Sequence, residues 1–84
     1  MKNPTLRTSR GQAEALQNLW YNNRCTIADI EDAVEDSGNG EELVTKINKL
    51  NLLRKFTLDR ETETKVRLKS IDALGNISYF EAEK

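Results

Sequence analysis

The stretch that decides the fold is KINKLNLLRKFTLDRETETKVRLKSID, residues 46–72. Its first part has apolar residues three and four positions apart, which is the period of an amphipathic helix. From Phe56 onward, apolar residues alternate with polar ones, which is the period of a half-buried strand. The charged segment 59–64 separates two such alternating runs. The stretch therefore predicts a helix that leads into an antiparallel hairpin over residues 55–69.

Two further helices are predicted upstream, after a flexible arm formed by residues 1–10. The first helix is expected over residues 11–22, where apolar residues recur at helical spacing: Ala13, Leu16, Leu19 and Trp20. The rest of the chain, residues 11–84, is predicted to form one domain.

The second helix is predicted over residues 27–36, because Thr26 followed by Asp29 resembles an N-cap with an acid in the first turn. The segment DSGNG, residues 36–40, should end it, since glycine and asparagine tolerate left-handed backbone. The third helix is predicted over residues 41–54. Its apolar residues are Leu43, Val44, Ile47, Leu50 and either Leu52 or Leu53.

The C-terminal segment allows two interpretations. One is a turn at residues 74–76 that leads to a third strand over residues 77–80; the other is a short helical turn at residues 70–74. In a strand, Tyr79 and Phe80 would point to opposite faces, so one of them would lie outside the core and suit a partner contact.

Composition favours a single soluble, cytoplasmic domain. The chain has 84 residues, of which 32% are charged and 37% apolar, and it contains no run long enough for a membrane span or signal peptide. Without histidine and with one cysteine, Cys25, no metal site is expected, and Cys25 is predicted to be buried. The chain has no nucleophile elbow or phosphate-binding glycine loop, so neither enzymatic activity nor a cofactor is expected.

The net charge of −1 conceals a strong segregation of charge along the chain. Residues 25–42 contain seven acids and no base, whereas residues 43–69 contain eight bases and three acids. A binding partner responds to such a pattern rather than to the net charge.

The order of three helices and a hairpin, together with EELVTKINKLNLLRKFTLDRETETKVRLKSIDALG (residues 41–75), resembles a winged helix-turn-helix domain. The segment from recognition helix to wing is similar to the MarR-like regulators. Asn51 stands where members of that family often have glycine. The fold expected from this resemblance is α+β, a three-helix winged helix-turn-helix with a C-terminal β-hairpin wing.

The resemblance implies a small DNA-binding transcriptional regulator, of a kind common in phages and prokaryotes. Its third helix would lie in the major groove of double-stranded DNA and its wing on the phosphate backbone. The residues expected to contact DNA are Thr45, Lys46, Asn48, Lys49, Lys55, Arg60, Lys65, Arg67 and Lys69.

The alternation of the hairpin gives part of that set independently. If Phe56 and Leu68 face the core, the pleat turns the basic residues of both strands to the opposite face, namely Lys55, Lys65, Arg67 and Lys69. Such a face can follow a phosphate backbone. It can equally be a solubilising face that prevents edge pairing.

An alternative function is protein docking on the same scaffold, without DNA reading. The third helix opens with Glu41 and Glu42, which phosphates repel, and the second helix is densely acidic. In this interpretation a basic protein partner binds the acidic face formed by Asp29, Asp32, Glu35 and Asp36. A homodimer through the first helix is possible if Leu16, Trp20 and Tyr21 form an interface, but Trp20 itself is predicted to lie in the core.

Overall fold

The computed structural model describes residues 6–19, 25–50 and 52–84. Three helices come first and a three-stranded antiparallel sheet follows, with strand order β1-β2-β3. The elements are α1 (Arg10–Asn18), α2 (Ile27–Glu35), α3 (Gly40–Lys49), β1 (Arg54–Glu61), β2 (Lys65–Asp72) and β3 (Ile77–Glu83). The protein is therefore a small α+β domain, as its sequence predicted.

Each helix begins at a polar N-cap whose side chain accepts a backbone N–H of the first turn. The caps are Ser9 for α1, Thr26 for α2 and Asn39 for α3. At Thr26 the exchange is reciprocal, because the Asp29 carboxylate accepts the Thr26 N–H at 2.9 Å. Caps of this kind stabilise a helix by about 1 kcal/mol each. The predicted start of α2 is thus confirmed.

The third helix is shorter than predicted. It ends at Lys49, with Leu50 as its C-cap, and not at residue 54. Leu53 has a φ of 59°, a left-handed conformation that no helix interior contains. Leu50, Leu52 and Leu53 are closely spaced, so the apolar pattern appeared to continue the helix beyond its real end. Leu52 is buried, but it enters the core from the loop that follows the helix. Asn51 lies outside the described residues.

The core lies between the helices and the inner face of the sheet. α3 packs on β1 and β2, α1 packs on β3, and α2 packs behind them on α1 and α3. The sheet contributes five buried apolar side chains, Phe56, Val66, Leu68, Phe80 and Ala82. All three helices thus lie on one side of the sheet, and the opposite, outer face has no helix over it among the described residues.

Leu58 does not enter the core as its alternation with Phe56 predicted. It is 39% exposed, whereas Phe56 is 1% exposed. The β1–β2 register shifts between Leu58 and Arg60, so an irregularity interrupts the strand at this point. The Leu58 side chain instead lies against the start of α3, where a Cβ on Gly40 would come within 2.6 Å of its Cδ1.

The C-terminal segment forms a strand, which decides between the two sequence interpretations. β3 runs to Glu83, beyond the predicted end at residue 80, and pairs with β2 along its whole length. The Asp72 carboxylate holds the preceding turn, since it accepts the backbone N–H groups of Leu74 and Asn76. The bond from the Asn76 N–H is the main cause that lowers the pKa of Asp72.

Residues 6–10 are packed against the domain, in contrast to the predicted flexible arm. Leu6 is 2% exposed, and its N–H donates to the Ser37 carbonyl at 3.2 Å. Arg7 pairs with Glu83 through two backbone hydrogen bonds of 2.7 and 2.8 Å. An apolar residue at position 6 and a free β3 edge explain why the segment docks there.

The first helix ends at Asn18 in the described part of the chain. Leu16 is buried within the domain at 4% exposure, so it is unavailable for the predicted helix-mediated dimer. Trp20 and Tyr21, the other residues of that prediction, lie outside the described residues. Cys25 is buried as predicted, and burial raises the pKa of its thiol.

Among the described residues, no helix combines the length and apolarity required to cross a bilayer. The same part of the chain contains no group of three side chains suited to hold a metal ion.

Candidate functional site

The outer face of the sheet gathers all four basic residues that were predicted to share a face. Residues directly opposite each other in neighbouring strands project from the same side of a sheet. Lys69 lies between Thr57 and Tyr79, and Arg67 lies between Arg60 and Glu81. The outer face is formed by Lys55, Thr57, Arg60, Lys65, Arg67, Lys69, Ile71, Ile77, Tyr79, Glu81 and Glu83.

Arg67 stacks on Tyr79 at the centre of this face. The guanidinium carbon lies 3.8 Å from the centroid of the tyrosine ring, a cation–π arrangement. The Arg67 Nε is 3.6 Å from an Asp59 carboxylate oxygen, which is an ion pair but longer than a hydrogen bond, and it has no hydrogen-bond partner in the described part of the chain. The stack therefore holds the guanidinium flat on the sheet. Its Nε is buried, so an external acceptor could reach only the remaining part of this side chain, which is 41% exposed as a whole.

The exposure of Tyr79 was predicted from the sequence only as one of two alternatives. Alternation showed that either Tyr79 or Phe80 would lie outside, and the structure exposes Tyr79 (48%) and buries Phe80 (2%). Its partner Arg67 could not be identified, because the register between β2 and β3 depends on the length of the turn that connects them.

The cations of the outer face differ in their neighbours. Towards the β1–β2 turn, Lys65 lies opposite Glu83, and Arg67 lies opposite Glu81. Opposite charges across strands stabilise a sheet, which is the structural role anticipated for these cations. At the other end, Lys55 and Lys69 have only uncharged direct cross-strand neighbours. The excess positive potential of the face therefore lies at this end and extends to Arg67.

Arg54 contributes to the basic count of residues 43–69 but not to any surface. Its side chain is 5% exposed, lies 3.9 Å from the Asp72 carboxylate, and donates to the Ser70 hydroxyl at 2.7 Å. The Ser70 hydroxyl in turn donates to the Ser78 carbonyl. This guanidinium joins all three strands from the inner side.

Asn48 does not belong to the predicted DNA surface. Its amide Nδ2 donates to the Phe56 carbonyl at 3.1 Å, and its Oδ1 accepts the Phe56 N–H at 2.9 Å. The side chain thus satisfies the edge of β1, where backbone groups would otherwise be unpaired. An amide held in this way cannot make a bidentate contact with adenine.

The exposed surface of α3 retains three of the predicted residues, Thr45, Lys46 and Lys49. They line a shallow depression of about 310 Å³ together with Glu41 and Glu42. The Thr45 hydroxyl donates back to the Glu41 carbonyl, and the Glu42 carboxylate accepts the Gly38 N–H. This surface is basic only towards the C-terminal end of the helix.

The α3 surface and the outer face of the sheet do not converge. α3 packs on β1 and β2 from the inner side, because Leu43 and Ile47 share the core with Phe56. The outer cations project away from that side. The structure therefore divides the predicted DNA-binding residues between two surfaces. Arg60 belongs to the outer face and is exposed near the β1–β2 turn.

Glu61 links the end of β1 to the start of α3, a contact that the sequence did not indicate. One carboxylate oxygen accepts the Gly40 N–H at 3.2 Å, and the other forms an ion pair of 2.9 Å with Lys84. The bond from Lys84 is the main cause that lowers the pKa of Glu61, and the Gly40 N–H adds to it. The contact fixes the end of β1 against the first turn of α3.

The acidic surface of α2 is only partly as predicted. The Asp29 carboxylate caps its own helix, whereas Asp32 is exposed. Glu35 and Asp36 are exposed and take part in interactions. An open depression of about 330 Å³ beside the helix is lined by Arg7, Thr8, Ala28, Glu31, Asp32 and Glu35.

The chain matches no protein-family model, and it has no significant match among curated proteins or solved structures.

Proposed function

We propose that the protein is a small DNA-binding regulator that contacts phosphates through the outer face of its sheet. The observation that carries the proposal is the pair Lys55 and Lys69, which have no acidic cross-strand neighbour among the described residues and lie beside the Arg67 guanidinium stacked on Tyr79. Charged groups that the fold has not already paired are the ones available to phosphate oxygens.

The order of the elements supports DNA binding through a different surface, that of α3. α2 and α3 follow each other through a short turn, and an antiparallel hairpin follows α3, which is the element order of that fold. In a winged helix, α3 would lie in the major groove with Thr45, Lys46 and Lys49 against the duplex. The outer face is the stronger of the two surfaces, since carboxylates open α3 and Asn48 is occupied.

Two matched variants separate these surfaces. Lys55→Glu with Lys69→Glu changes the charge of the outer face, and Lys46→Glu with Lys49→Glu makes the same change on α3. We expect the first pair to weaken binding to mixed-sequence duplex DNA at least tenfold in fluorescence anisotropy, and the second pair to weaken it less. The reverse order would assign DNA to α3.

Salt dependence tests the phosphate contacts directly. With about three phosphates neutralised, the logarithm of the affinity should fall with the logarithm of salt concentration at a slope of about −3. Absence of binding at about 50 mM salt would reject the DNA proposal altogether.

The second candidate function is docking of a basic protein segment beside α2. Three carboxylates, those of Glu31, Asp32 and Glu35, line the same depression with a single base, Arg7. Such a site attracts lysine or arginine side chains. Glu31→Lys with Asp32→Lys should then abolish capture of a partner while leaving DNA affinity equal or higher, and capture that survives both changes would remove this candidate.

A further inference from the structure

The edge of β3 carries a short stretch of backbone to which no described residue bonds. The Glu83 N–H and carbonyl bond to Arg7, on the side away from β2. Backbone direction alternates along a strand, so Glu81, Tyr79 and Ile77 also point their N–H and carbonyl groups away from β2. At Glu81 these groups bond to the Gln12 side chain and the Thr8 hydroxyl. At Ile77 and Tyr79 no described group bonds to them.

Described groups cover other positions on the two edges of the sheet. On β1, the Asn48 amide occupies the outward groups of Phe56. On β3, residues 7, 8 and 12 cover the end near Glu83. Open edges without charge or cover are templates for pairing with another strand.

The side chains at the gap are also suited to burial. Ile77 is 52% exposed and Tyr79 is 48% exposed, and both project from the outer face. Leu19, 41% exposed, lines a small cavity of about 30 Å³ together with Tyr79. Residues 77–79 carry no charge, whereas acids at 81 and 83 follow them.

We propose that this edge binds a second copy of the same chain, with the two β3 strands antiparallel about a two-fold axis at Ser78. Ile77 of each copy then pairs with Tyr79 of the other, and the two pairs exchange four backbone hydrogen bonds. Each pair places an aliphatic side chain beside an aromatic one, a favourable cross-strand combination.

A second copy fits this edge for two reasons. Its own residues 77–79 offer the same two backbone positions, which no described group occupies, in the antiparallel direction, so an isologous contact closes on itself. The two-fold register also sets Glu81 opposite Gly75, so no like charges meet across the interface. Pairing beyond this point is limited, because the Glu81 backbone is already bonded to Gln12 and Thr8.

The result is a continuous six-stranded sheet. Its outer face carries the Arg67, Lys69 and Lys55 cations of both copies on one surface. The self-association rests on the β3 edge alone and does not depend on the proposed binding of DNA.

Analytical ultracentrifugation over a concentration series tests the dimer. Because the contact is small, we expect a dissociation constant between about ten and several hundred micromolar. Ile77→Pro removes only an N–H that points away from β2, so the backbone hydrogen bonds between β2 and β3 are kept. Ile77→Pro and Ile77→Lys should each weaken association at least tenfold, with native circular dichroism retained.

The matched control is Ile71→Lys. Ile71 is exposed to a similar degree on the same face, 41%, but it lies in the central strand, whose backbone is paired on both sides. This variant should associate like the unchanged protein. Equal loss in Ile71→Lys and Ile77→Lys, or a protein that stays monomeric at about 1 mM, would overturn the proposal.

Cross-linking tests the register. Ser78 faces Ser78 of the other copy as a non-hydrogen-bonded pair, with Cα atoms about 4.5 Å apart, within the range of a disulfide. In a Cys25→Ala background, Ser78→Cys should therefore form a covalent dimer on mild oxidation. Asn76→Cys is more exposed but lies opposite Phe80, so it should cross-link more slowly; faster cross-linking at position 76 would contradict the two-fold register.

Discussion

The Asn48 side chain pairs with both backbone hydrogen-bonding groups of Phe56, at 2.9 and 3.1 Å. One amide thereby fastens the last turn of α3 to the free edge of the first strand. The two bonds are partly buried, and without the amide the Phe56 N–H and carbonyl would have no partner among the described residues.

Asn48→Ala should therefore destabilise the protein, although alanine is the better helix former. Losing two partly buried hydrogen bonds costs about 0.5–1.5 kcal/mol each, which together exceeds the gain in helix propensity of about 0.7 kcal/mol. Urea unfolding measures the difference. Thr45→Ala, on the exposed side of the same helix, is the control and should change the free energy of unfolding by less than about 0.5 kcal/mol.

A second prediction concerns pH and Glu61. Its pKa in the folded protein is lowered from an ordinary value of 4.5, chiefly by Lys84. A carboxyl with a lowered pKa contributes stability that is complete above its ordinary pKa and is lost as the pH falls through the folded value. Glu61→Gln should therefore remove this carboxyl's share of the stability that is lost in acid. The free energy of unfolding in urea, measured between about pH 6 and pH 3, tests this.

Glu63 provides the matched control for that experiment. It lies in the same turn region and, within the described part of the chain, has no hydrogen bond or ion pair. Glu63→Gln makes the same chemical change without breaking the contact to Gly40 and Lys84. Identical pH profiles for the two variants would show that the Glu61 contact does not contribute.

Local patterns predicted most of the elements but not the contacts between them. The capping pair Thr26–Asp29 and the change of period at Phe56 depend only on neighbours in sequence, and both were confirmed. The role of Asn48 depends on where β1 lies relative to α3. Its amide looked equally suited to a base edge, and no local pattern distinguishes these two uses.

The candidate site was predictable to a similar extent. Alternation correctly placed Lys55, Lys65, Arg67 and Lys69 on one face. It could not show which of them face carboxylates, because Glu81 and Glu83 come from a strand whose register was unknown. Nor could it show that α3 lies on the opposite side of the sheet.

A third prediction contrasts two glycines. Gly11 is in the first turn of α1, and a Cβ there would meet only the Ser9 hydroxyl oxygen at 4.0 Å. Gly11→Ala should raise the free energy of unfolding by about 0.5–1 kcal/mol, because alanine loses less backbone entropy. Gly75 has ample space but a φ of +84°. Gly75→Ala should instead lower stability by about 1 kcal/mol, so thermal unfolding of the two variants should move in opposite directions.

The last prediction concerns Leu53, which has a left-handed backbone with a φ of 59° and is 47% exposed. A leucine in that conformation costs roughly 1–2 kcal/mol, whereas asparagine tolerates it because its short polar side chain can bond locally. Leu53→Asn should therefore stabilise the protein by about 0.5–1 kcal/mol, despite the loss of some apolar contact. Leu74→Asn is the control, since Leu74 is exposed at 84% and has no positive φ. If Leu53→Asn and Leu74→Asn have the same effect on the urea midpoint, the left-handed turn after α3 stores no strain.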